Sequence, residues 1–136
     1  MGAALDGESP PTELILSAAT GANASHVNGN YVLHPNTFSS APLYYNAAGG
    51  SWLHAQDNET GNHGRWEVSI SPNHTPSGNQ PFPSSDLEPV GFSQYSTSEY
   101  HSPLETRRWS INVGGGSWEE QHLLWSVLGL RSGSWL

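Results

Sequence analysis

The chain has 136 residues and no cysteine, so it is sized for one domain and has neither disulfides nor thiolate metal sites. Twelve acidic residues stand against four basic ones, Arg65, Arg107, Arg108 and Arg131, for a net charge of −8 with neutral histidine. That balance excludes a phosphate-binding groove for nucleic acid and disfavours an anionic membrane surface, because both need clustered cations.

Residues 1–12 are small, acidic and proline-containing, and read as a flexible arm with no signal-peptide or myristoylation pattern. From residue 13 onward, short β-type runs alternate with turn residues, the pattern of a small sandwich or barrel and not of a βαβ fold. Glu13 to Ser17 is the first strand. Asn28-Gly29 supplies the positive φ that a tight turn needs, and Asn30 to His34 follows as a strand closed by Pro35. Leu43-Tyr44-Tyr45 and Trp52-Leu53-His54 flank a glycine pair and read as a hairpin. In Arg65 to Ser71, the residues Trp66, Val68 and Ile70 share one face while Arg65, Glu67 and Ser69 share the other. The same alternation returns 43 residues later in Arg108 to Val113. Two copies are too few for a repeat array, and the simpler reading is two central strands in the same half-buried setting. A long polar stretch with five prolines, Pro72 to Pro89, separates them, followed by a strand expected around Phe92 to Tyr95.

The C-terminal segment differs. Ser117-Trp118-Glu119-Glu120 has the spacing of a capping box, and a helix from Trp118 to about Leu128 would group Leu124 with Leu128 and Trp118 with Trp125. A strand through Leu124 to Leu130 is the alternative. Three glycines, Gly114 to Gly116, read as the hinge before it. The expected architecture is therefore an all-β, mainly antiparallel sandwich or barrel of about six or seven strands over residues 13–114 with a short C-terminal helix. Its aliphatic content is low, and six Trp with five Tyr must fill the core. Residues 117–136 form a docking tail, with Trp118, Leu124, Trp125, Leu128 and Trp135 as the contact residues, and the β-domain is expected to fold without it.

The order Leu16 to Gly21, Val27-Asn28-Gly29-Asn30-Tyr31, Ala41-Pro42-Leu43-Tyr44-Tyr45, Trp52, Arg65 to Ile70, Tyr95-Ser96, Pro103 and Trp109 resembles a small "VNG-x-Y" module found in proteins of aquatic protists, bacteria and phages. In that family a strand with Ser-Gly-Ala leads into Val-Asn-Gly-x-Tyr. The likeness spans about residues 14–113. This chain departs from it at Ser39-Ser40-Ala41, where Asn-Gly is usual before the proline, and in the length of residues 73–89. The resemblance implies a non-catalytic β-rich accessory domain and carries over no binding residues.

Chemistry is sparse. The seven histidines show neither H-x-H nor H-x-x-x-H spacing, although His34, His54 and His63 can meet across strands. Asp57 to Asn62 is oxygen-rich but lacks the ligand alternation of a calcium loop. There is no G-x-S-x-G elbow or P-loop, and a glycosidic pair such as Asp57 and Glu67 has no support beyond composition. No catalytic residue, metal or cofactor is expected. The first functional expectation is a structural or protein-interaction module, an accessory subunit or repeating component whose partners are other protein subunits or further copies of itself. The alternative is a lectin-like module with Tyr44, Tyr45, Trp52, Asp57 and Asn58 holding a glycan.

Overall fold

The computed structural model describes residues 11–38, 41–57, 63–71, 83, 86–93 and 108–128. These form β1 (Glu13–Ser17), α1 (Ala24–Val27), β2 (Gly29–Phe38), β3 (Ala41–Asn46), β4 (Ser51–Asp57), β5 (His63–Ile70), β6 (Glu88–Ser93), β7 (Arg108–Gly114), β8 (Ser117–His122) and β9 (Leu124–Leu128). The strands make one antiparallel sheet in the order β8-β7-β6-β5-β4-β3-β2-β1-β9. Its two outer members are successive parts of one extended run, parted only by Leu123. The first part pairs with β7 and the second with β1, so the meander curls into a nearly closed barrel.

All-β antiparallel architecture thus holds, with nine strands and not six or seven. The C-terminal helix is not formed. Along 117–128 alternate residues face the same side, and Leu123, Trp125 and Val127 enter the core where β9 lies against Leu16 and Leu14. Barrel closure needs a strand there, and burying that face outweighs the capping-box preference. Gly114, Gly115 and Gly116, at φ +116, +62 and +80, make a tight hairpin turn between β7 and β8, where a hinge was expected. The helix that does form, α1, is a single turn in the connection between β1 and β2. Asn28 is extended at φ −74 and ψ 143, so Asn28-Gly29 ends that turn and is not itself a two-residue hairpin. Pro35 does not close β2 either. It lies within the strand, where the register shifts between Leu33 and Thr37 and tolerates a residue with no N–H.

The core is the barrel interior. Leu14, Leu16, Tyr31, Tyr44, Leu53, Trp66, Val68, Trp109, Ile111 and Leu123 pack there with Val27 from α1. Trp109 and Trp125 meet at 6.2 Å between ring centroids. Each buried indole removes roughly 150–250 Å² from water, about 4–6 kcal/mol as an upper bound. A few rings therefore compensate for the shortage of aliphatic residues. The two Arg-Trp segments, β5 and β7, flank β6, and both turn their Trp inward.

Candidate functional site: the outward faces of the barrel

The residues of the Val-Asn-Gly-x-Tyr segment build a corner at the end of the barrel where β1 gives way to β2. Val27 is fully buried. The Asn28 side chain bonds both backbone groups of Ala19, Oδ1 accepting from N and Nδ2 donating to O, each at 3.0 Å. Gly29 sits at φ +143, and a Cβ there would stand 2.6 Å from Asn46 Nδ2. Tyr31 donates its hydroxyl to the Val27 carbonyl at 2.5 Å, and Ser51 donates to the His26 carbonyl at 2.6 Å. Every one of these bonds closes onto backbone. These bonds hold the path of the chain through the corner.

The glycan residues expected from the sequence are divided by the strand alternation. Tyr44 points into the core, fully buried, and donates its hydroxyl to the Pro11 carbonyl at 2.9 Å. Tyr45 and Trp52 point the other way, from β3 and β4, and meet each other at 6.1 Å and His34 at 6.2 and 5.5 Å. Trp52 is fully buried too, so neither it nor Tyr44 offers a face for stacking. Asp57 ends β4, and Asn58 lies outside the described residues.

Beside Trp52 on the outward face runs a buried polar chain. His54 Nε2 meets Ser69 Oγ at 3.0 Å, Ser69 donates to Glu67 Oε2 at 3.2 Å, and Arg65 lies 3.8 Å from Glu67 Oε1. Burial holds the His54 imidazole down at about 4, and burial also raises the Glu67 carboxyl, opposed by Arg65 and Ser69. The order is not that of a catalytic triad, because the carboxylate contacts the serine and not the histidine. His54 and Ser69 are sealed from solvent. Among the described residues, no group of three or more His, Asp or Glu converges as metal ligands, and no helix is long and apolar enough to cross a membrane.

The docking residues are not brought together on one surface. Trp125 belongs to the core. Leu124 is 61% exposed, and it lies diagonally across from Ile15 on β1, which in turn lies diagonally across from Val32 on β2, 38% exposed. These three make an apolar stripe over the closing seam. Trp118 is 42% exposed at the other end of the same run, on the same outward side, and packs on Phe92 of β6 at 5.1 Å, while Arg65 stacks over Phe92 at 4.1 Å. Leu128 pairs with Glu13 at the end of β9, and Trp135 lies outside the described residues. Ile15, Val32, Phe92 and Arg65 were not singled out by the sequence. For Ile15, Val32 and Phe92 the signal available was their place on the polar side of an alternating strand, where an apolar or aromatic residue is out of pattern; Arg65 fits that pattern and gave none.

Comparison with protein-family models, curated proteins and solved structures returns no match.

Proposed function

We propose that the chain is a non-catalytic structural or protein-interaction module, an accessory subunit or repeating component held to its neighbour through the stripe Leu124–Ile15–Val32. The observation that carries this reading is the exposure of Leu124, 61%, on a strand whose neighbour in the sheet adds Ile15 to the same patch. Isolated surface apolar residues need no explanation, but three in diagonal register on one face of β9, β1 and β2 form a patch that gains by leaving water. The barrel interior is occupied by side chains, which leaves the outside as the working surface. The resemblance to the VNG-x-Y module points the same way, since its signature residues are used in a corner.

Carbene footprinting of the chain in its native extract and as the purified monomer tests the proposal. Protection confined to Ile15, Val32 and Leu124 in the extract is expected, together with its loss in Leu124→Arg. Equal labelling of the stripe in both states sinks it.

A further inference from the structure

The outward face of β5–β8 carries a second surface, separate from the seam stripe. Trp118 and Leu124 are six residues apart on one extended run, about 20 Å at strand spacing. We propose that this second face binds a neutral carbohydrate chain, with Trp118 as the stacking platform.

Trp118 has the two properties that a platform needs. It is 42% exposed, and it is held in place from one side: Phe92 touches it at 5.1 Å, and the Arg65 guanidinium lies 4.1 Å from the Phe92 ring centre. A row of three flat groups therefore crosses the strands and fixes the indole before any ligand arrives, so that little side-chain freedom is lost on binding. The electron-rich indole face attracts the weakly positive C–H bonds on one face of a pyranose ring.

Polar groups surround the ring on the same side of the sheet. Asn112 is the register partner of Trp118, and Arg108 pairs with Glu120 at 2.8 Å with 60% and 52% of the two side chains exposed. Both hydrogen-bond donors and acceptors are thus within the patch, as sugar hydroxyls require. Charge selects among ligands. Arg65 is matched by Glu67 and Arg108 by Glu120, so these charges of the patch balance in a chain of net charge −8. Among the described residues a polyanion finds no clustered unpaired cations there, and it meets long-range repulsion from a chain of net negative charge. An apolar protein surface would strip water from Arg108 and Glu120 without replacing its hydrogen bonds, whereas hydroxyls replace them.

The test is a titration of the intact chain with the neutral hexasaccharides cellohexaose, laminarihexaose, mannohexaose and N-acetylchitohexaose, followed by calorimetry and tryptophan fluorescence, with polygalacturonate as the anionic control. Saturable binding of at least one neutral probe is expected, weakened at least tenfold in Trp118→Ala, partly kept in Trp118→Phe, and unchanged in Leu124→Arg. The last variant separates this site from the seam stripe, so either proposal can fail alone. Thermal unfolding of Trp118→Ala should match the parent, which rules out loss of binding through loss of fold. Absence of saturable binding by all four neutral probes, binding of the polyanion alone, or binding unchanged in Trp118→Ala overturns the proposal.

Discussion

Asn28 uses both ends of its side-chain amide on one residue, Ala19, and so fixes the path of the chain from β1 into β2. Two neighbours complete the lock, and each can be tested. Tyr31→Phe removes a buried hydroxyl bond and leaves the Val27 carbonyl short of a donor, a loss of about 1–2 kcal/mol in urea denaturation. Gly29→Ala forces a Cβ against Asn46 at a left-handed φ, and a larger loss of about 3 kcal/mol is expected. Ala18 shows the same constraint from the other side. It adopts φ +82, a left-handed conformation that an L side chain takes only at a cost. These roles were half legible: the motif stood out in the sequence, but its partners, Ala19 and Asn46, are set by tertiary contact.

The buried chain on β4 and β5 makes stability depend on pH in two opposed ways. His54 is held neutral, with its pKa lowered to about 4, so the unfolded chain binds a proton below about 6.5 that the folded chain refuses. Stability therefore falls as pH drops from about 6.5 to 4, by at most about 3 kcal/mol. Glu67 is raised by burial, so the folded chain holds its proton more tightly than the unfolded one. Its contribution falls as pH rises from 4.5 through the raised value. Urea midpoints measured across pH 4–7 should show a steeper acid loss in Glu67→Gln than in the parent, and a flat or reversed slope in His54→Gln. Parallel profiles for all three would contradict this assignment.

Among elements, the run 117–128 shows best what the sequence conceals. Its inward positions are Glu119, Gln121, Leu123, Trp125 and Val127, a period of two whose first two members are polar. Polarity there has a local cause. Below the β1–β9 pairing, the chain from Ala18 to Asn23 crosses the gap, and Gln121 serves as its partner by accepting from Thr20 N at 2.9 Å and donating to Thr20 O at 3.1 Å. Ala22 N bonds Val113 O at 3.2 Å and Asn23 Nδ2 bonds Asn112 O at 2.8 Å, tying the same crossing to β7. A side chain standing in for a ladder rung masks the alternation, and the remaining i, i+4 matches then read as a helix. Gln121→Ala should cost about 1 kcal/mol and speed amide exchange at Thr20 and Ala22, leaving β4 and β5 protected. The strands β1, β5 and β7 were the most legible because their inward residues are apolar and their outward ones mostly polar, as in Trp66, Val68 and Ile70 against Glu67 and Ser69. By contrast, β6, Glu88–Ser93, starts earlier than the expected Phe92 because it turns Gly91 and Ser93 inward and Phe92 outward and so shows no such alternation.

For the molecule as a whole, the closing run is part of the barrel, and the division into a self-sufficient β-domain and a tail does not follow from this topology. Removing residues 118–136 takes away β8 and β9 together with Leu123 and Trp125, and exposes the edges of β1 and β7. Loss of cooperative unfolding by near-ultraviolet circular dichroism is expected; a truncated chain that melts as sharply as the parent would show that seven strands suffice. The exposed surfaces were the least legible feature at this scale. Trp125 turns to the core, while Trp52 and Trp118 both face outward and yet one is buried and the other 42% exposed, a difference to which composition is blind.

Seven of the eight strand pairings join consecutive strands, but β9 must find β1, more than one hundred positions away. During synthesis the meander can assemble rung by rung behind the ribosome, yet two raw borders persist until residue 128 has left the exit tunnel. That interval, and not the finished barrel, is when this chain is most open to mispairing with a neighbouring nascent copy, and slowing translation just before codon 117 would lengthen it.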